Sequence, residues 1–168
     1  MIPEKAQFYI EQLQLLKHPE GGWYKETYRS SGEIPDQALS GYEGSRNFST
    51  GIYFLLTKDN FSAFHRIRSD EMWHFYAGDG LIVHEIQVDG TYIEHHLGLK
   101  VEDVEEPQLV VKANSWFASE VKGGGSWCLV GCTVAPGFDF RDFELVNYST
   151  LSNAYPQFSD LIRRLTRT

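Results

Sequence analysis

Two cysteines in 168 residues are too few to staple a fold. They stand at Cys128 and Cys132. On one strand they lie about 13 Å apart at ~3.3 Å per residue, too far to bridge each other. Reduced core thiols and a cytoplasmic protein are therefore expected. A zinc site is not indicated, since Cys-x3-Cys has no second pair of ligands elsewhere. Apolar runs long enough to cross a bilayer are missing. No apolar leader core follows Met1, so no signal peptide is expected. Basic residues are the next scarcity: 15 Lys and Arg stand against 23 Asp and Glu, a net charge of −8. That balance argues against nucleic acid and anionic membrane as partners, because both need a basic face. Repeats and internal linkers are absent too, and the length suits one domain over residues 1–168.

Aromatic residues are plentiful, with eleven Phe and nine Tyr, and that richness favours strands. A chain of this size buries roughly 70% of its unfolded surface, enough for a core without metal or disulfides. Residues 3–16 predict a packing helix, with Pro3 at its start and Ala6, Ile10, Leu13 and Leu16 as the apolar stripe. Pro19 ends it. His-Pro-Glu-Gly-Gly at 18–22 is a turn by composition. WYKETYR then reads as a strand with Tyr24, Glu26 and Tyr28 on one face. Glu26 is either a polar group in a pocket or a solvated edge residue. The polar segment 30–46 is long for a compact domain. It reads as a lid, a dimer contact or a surface insertion, and Arg46 at its end either aims into a pocket or caps the next strand. Asp89-Gly90 predicts a two-residue hairpin turn that sets His84 opposite His95. Strands separated by the turn at Gly123-Gly124-Gly125 complete an antiparallel all-β pattern. Residues 156–167 predict a second helix, with Phe158, Leu161, Ile162 and Leu165 inward.

The stretch most suggestive of chemistry is Phe61 to Gly80. It reads as two strands joined by a charged turn. By alternation Phe61, Ala63, His65 and Ile67 share one face of the first strand. Glu71, Trp73 and Phe75 share one face of the second, and Met72, His74 and Tyr76 the other. A His and a Glu on otherwise apolar faces line a cleft or make buried hydrogen bonds.

His65, Glu71 and Gly78 resemble the first cupin motif, in which His-x-His is followed by Glu and, after six residues, by Gly. The second His of that motif falls on Ile67. Where the second motif supplies another His, this chain has Asn114 and Trp116-Phe117. The blocks at 18–29, 61–78 and 131–145 (GCTVAPGFDFRDFEL) resemble a small cupin family of uncharacterised bacterial and fungal proteins. The 18–29 block is also similar to the early strand of deoxy-sugar nucleotide epimerases, where it contacts the nucleotide. The resemblance implies a cupin-type double-stranded β-helix, or jelly roll, with short N- and C-terminal helices.

Three functions are open at this point. One is a metal-independent epimerase or isomerase, with His65 as base, Glu71 orienting it and an unassigned Tyr as acid. Another is a module that binds a small ligand such as a sugar nucleotide without chemistry, among Tyr24, Glu26, Arg46, Trp73 and Phe75. A metal-dependent oxygenase comes last, because His65 and Glu71 do not complete a two-His-one-carboxylate triad and His74 points the other way. No cofactor and no metal is expected, although His74, His84 and His95 leave adventitious binding open. A homodimer is expected through the strand at 23–29 and the Phe-rich segment 138–143.

Overall fold

The computed structural model describes residues 1–167. In chain order its elements are α1 (Glu4–Gln12), β1 (Leu16–Lys17), β2 (Trp23–Arg29), β3 (Glu33–Ile34), β4 (Arg46–Asn47), β5 (Thr50–Thr57), β6 (Phe61–Arg66) and β7 (Asp70–Gly78). They continue with β8 (Leu81–Ile86), β9 (Tyr92–Leu97), β10 (Gln108–Val111), β11 (Trp116–Val121), β12 (Trp127–Ala135), β13 (Glu144–Leu145), α2 (Tyr148–Ala154) and α3 (Ser159–Arg164). Six strands form one sheet in the order β1-β2-β5-β12-β7-β10, and five form another in the order β13-β6-β11-β8-β9. The strands within each are antiparallel. The two sheets face each other as a double-stranded β-helix, with Phe54, Trp73, Val83, Leu97, Phe117, Cys128, Val130 and Cys132 packed between them. Both cysteines are free and buried. Among the described residues no helix is long and apolar enough to cross a membrane.

The short helices close the outer faces. Phe64, Ile86, Trp116 and Ala118 point away from the barrel and are covered by Leu151, Ile162 and Leu165. The inward set expected of the last helix is therefore present, although its first turn, 156–158, is a tighter 3-10 turn. α1 covers the other sheet through Ala6 against Leu55, Trp127 and Leu129. It is shorter than the 3–16 span: Gln14 turns to φ 57° and Leu16–Lys17 leave the helix to pair with Tyr24 and Trp23. Leu16 is consequently exposed and not part of the stripe.

Three one-residue irregularities change which way side chains face. On β6, Ala63 and Phe64 together oppose Ala118, so Phe61 and Phe64 turn outward while Ser62 and His65 turn inward. On β2, Thr27 is the extra residue, which turns Tyr28 out and brings Arg29 onto the face of Glu26. On β7, Tyr76 is extra opposite the Leu129–Val130 step. The hairpin also differs from expectation. Gln87 N–H donates to Thr91 O at 2.8 Å and Gly90 N–H to Gln87 O at 2.9 Å, so the loop holds three residues, with Gly90 at φ 87°. The register moves by one. His84 pairs with Glu94 and His95 with Val83, so the two histidines lie on opposite faces. His84 bonds Tyr92 and Glu120, and His95 bonds Glu85.

Arg46 does not reach a ligand cavity. The residue is 2% exposed, and its guanidinium grips both oxygens of Asp142 at 2.7 and 2.8 Å. The remaining nitrogen donates to the carbonyls of Glu43, Gly44 and Ser45. A charge that deep needs a carboxylate partner, and this one ties the 30–47 segment to the 139–144 turn. That segment is further pinned by Tyr42 Oη, which donates to Arg68 O at 3.0 Å.

Candidate functional site

A cavity of about 550 Å³ opens between the sheets at one end of the barrel. Its apolar wall includes Ile52, Phe54, Ile67, Trp73, Val134, Phe138 and Phe143. His18, Glu20, His65, Glu71 and Cys132 give it a polar inner surface. The size and mixed lining are those of a small-molecule site.

The 18–22 turn supplies two of those groups. Gly21 sits at φ 120°, and a Cβ there would strike the Phe61 carbonyl, so only glycine lets the turn lie this close to β6. Ala63 N–H donates to Glu20 O at 2.9 Å, which fixes the backbone of the turn against the bulge. The bulge frees the Ala63 carbonyl, and His65 Nδ1 meets it at 2.7 Å. A carbonyl only accepts, so Nδ1 carries a proton. His65 Nε2 faces Glu20 Oε2 at 3.0 Å, and Ser62 Oγ donates to Glu20 Oε1 at 2.8 Å. Burial drives Glu20 well above the ordinary carboxyl range, with the nearby Glu71 adding to it. Burial likewise lowers His65 to about 3. Both directions favour a neutral pair, in which the acid of Glu20 donates to a neutral imidazole.

His18 accepts at Nδ1 from the Glu20 backbone N–H at 3.3 Å, so its neutral tautomer carries the proton on Nε2. Burial lowers its pKa to about 4. No protein acceptor meets that Nε2 among the described residues. The ring packs edge-on to Tyr24 at 4.5 Å between centroids. Across the cavity, on the other sheet, Glu71 is pushed up to about 7 by burial and accepts from the Cys132 thiol. Cys132 is opposite Trp73 on the ladder, one diagonal step from Glu71.

Of the residues singled out from the sequence, His65, Glu71, Tyr24, Glu26 and Trp73 all border this cavity. Phe75 does not. It packs on the core further along the barrel and borders a different depression, beside Gly78 and Asp79. The pairing of His65 with Glu71 is corrected to His65 with Glu20. The role of His65 as a base is not supported either, since both of its nitrogens are engaged. His18 and Glu20 were missed because a turn has no periodicity. Their signal was a His and a Glu inside a Gly-Gly turn.

The donor set does not fit a metal ion. Ile67, Trp116 and Phe117 stand where cupin ligands are expected, and among the described residues no three His, Cys, Asp or Glu side chains are grouped to hold one. His74 bonds Thr133 on the outer face.

Two antiparallel sheets wound into a double-stranded β-helix, with a polar-floored cavity at one mouth, define a cupin. The chain belongs to the Cupin superfamily (DUF985) family, whose profile matches residues 7–146. It is 34% identical over 152 residues to the uncharacterized protein YML079W of Saccharomyces cerevisiae, which covers 83% of this chain and 74% of that one. It is similar to a hypothetical protein from Leishmania major at 36% identity and TM-score 0.89, over 97% of this chain and 99% of that one. Protein SO0799 from Shewanella oneidensis matches at 38% identity and TM-score 0.86, over 96% and 97%.

The neutral pair has a direct test. Glu20→Gln is expected to melt within ~3 °C of wild type, because an amide also donates to His65 Nε2 and accepts from Ser62. His65→Ala removes the acceptor of a buried acid and opens a void, at a cost on the order of 3 kcal/mol and a fall of roughly 10 °C. A Glu20→Gln melt as low as that of His65→Ala means that the pair is ionised instead.

Glu71 sets a pH dependence. From the ordinary 4.5 up to about 7 the folded chain keeps a proton that the unfolded chain has released. Stability from this group therefore declines as pH rises through that window, by on the order of 3 kcal/mol in all. His18 and His65, whose pKa values burial lowers, add stability over the same range in both proteins, so denaturant unfolding from pH 4.5 to 7 is expected to show the decline in the difference between wild type and Glu71→Gln. Parallel curves contradict it.

Proposed function

We propose that this cupin binds a small molecule in the cavity between its sheets, with an apolar body among Tyr24, Trp73, Phe138 and Phe143 and a polar head at His18 and Glu71. The observation that carries this reading is the placement of an apolar cavity of about 550 Å³ over a set of buried proton-bearing groups. His18 offers a donor at Nε2, and Glu71 accepts when ionised and donates when protonated, so a hydroxyl is matched by either form and a carbonyl by the protonated one. Glu20 and His65 hold the floor in place and are not themselves free to meet a ligand.

One observation supports acid–base chemistry of the isomerase kind, which the similarity to sugar-nucleotide epimerases implies. Glu71 titrates near neutrality and borders the cavity, as a proton carrier must. In that reading Glu71, not His65, takes up and returns the proton.

Thermal melts against a metabolite library that includes sugars, nucleosides and sugar nucleotides test the binding reading. At least one compound is expected to raise the wild-type melting temperature and to lose that effect in Glu71→Ala. A library in which nothing shifts the wild type sinks the proposal.

A homodimer is part of the same proposal. β1 covers β2 only at Trp23 and Tyr24, which leaves the edge from Lys25 to Arg29 without a strand partner among the described residues. That edge and Phe138–Phe140 both border the cavity mouth. Sedimentation at micromolar concentration is expected to give twice the 19.3 kDa chain mass. A purely monomeric species contradicts it.

A further inference from the structure

The cavity mouth carries a guanidinium that is already occupied. The bulge at Thr27 turns Arg29 onto the cavity face beside Glu26. Arg29 Nε and Nη2 donate to the two oxygens of Glu26 at 3.0 and 2.7 Å. Nη1 donates to Asn47 Oδ1 at 2.8 Å, and Nη2 donates a second time, to Phe138 O at 3.1 Å. A free guanidinium is the usual fork for phosphate, and this fork closes on a carboxylate of the same strand.

Nothing else in the lining replaces it. The other cation is Lys25, whose Nζ lies 3.2 Å from Gln14 Oε1. Against these two cations the lining sets four carboxyls: Glu20, Glu26, Glu71 and Asp139. Asp139 is itself held by Arg141 through two bonds at 2.9 and 2.8 Å. His18 and His65 are kept neutral by burial and bring no positive charge. Burial keeps Glu20 and Glu71 protonated, and the Glu26–Arg29 and Asp139–Arg141 pairs cancel, so the lining holds no open guanidinium fork for a phosphate, and the one charge left without an ionic partner is the single Lys25 ammonium.

From this arrangement we infer that the cavity takes an uncharged molecule with an apolar, ring-sized body and a polar head, not a phosphate-bearing one, and that Glu26 sets this choice by occupying the Arg29 fork. The inference rests on the cavity reading given above. It departs from the nucleotide ligand that the resemblance of the 18–29 block implies.

Two matched pairs test it: 1-naphthol with 1-naphthyl phosphate, and thymidine with thymidine 5′-diphosphate. Dissociation constants come from equilibrium dialysis against wild type and Glu26→Gln. The Glu26 side chain is 41% exposed and the substitution keeps its size, and a melt of the unliganded variant verifies that it folds. In wild type the uncharged member of a pair is expected to bind at least roughly tenfold tighter than its phosphate partner. Glu26→Gln frees Arg29 and is expected to raise the affinity of the phosphate partner by roughly tenfold. A phosphate partner that binds wild type as tightly as its uncharged mate overturns this inference and leaves the cavity reading standing. A folded Glu26→Gln with unchanged selectivity overturns the role given to Glu26. Failure of all four compounds to bind overturns the cavity reading, and this inference with it.

Discussion

A single residue withdrawn from a β-ladder sets the geometry of the cavity floor. At the β6 bulge, Ala63 gives its N–H to Glu20 and offers its carbonyl to His65. Buried backbone groups must be paired, so a bulge here requires two partners from outside the ladder of backbone bonds. The 18–22 turn provides one and the His65 ring the other. Once both are in place, His65 Nε2 can only look at Glu20, and Glu20 can only keep a proton. The carboxyl and the imidazole together bring no net charge into the apolar wall, which is why the barrel tolerates them. Glu71 and Cys132 repeat the solution on the opposite sheet, with a thiol as donor.

Alternation was enough to place His65, Glu71, Trp73, Tyr24 and Glu26 on the inner faces, because each lies on the correct side of the nearest bulge. Beyond the bulges the same rule failed. Phe61 and Tyr28 were grouped with inward residues and point outward, since one inserted residue flips every later side chain. A bulge leaves little mark in composition, so the sequence could not show it. Arg46 was misplaced for another reason: its partner Asp142 is 96 positions away, and no local pattern announces such an ion pair. The Asp-Gly hairpin admits two loop lengths, and the choice between them decided the fate of His84 and His95. The helix at Tyr148–Ala154 was overlooked because Ser, Thr and Asn dominate it, although Asn147 caps it by accepting from Thr150 N–H.

Fold class was legible where site chemistry was not, and the reason is physical. Sheet pairing and core burial depend on many residues that agree with each other, so single errors cancel. A site depends on a few groups whose behaviour is set by neighbours far along the chain. His65 is the clearest case. Its position matches a cupin ligand, yet Ala63, Glu20 and Ser62 give it a different occupation. Function on this fold therefore follows from the residues at the mouth and not from the scaffold.

Arg167 reaches back to the turn that carries Glu20. Its Nε donates to Glu20 O at 3.3 Å and its Nη2 to Phe61 O at 2.8 Å. The first of these contacts joins residues 147 positions apart. Closing so long a loop is slow and brings no reward until the intervening sheets exist. A fastening of that span rests on the barrel wall between its two ends. The 18–22 turn is thus held twice, by Ala63 N–H from the bulge beside it and by Arg167 from far along the chain, and the cavity floor leans on both.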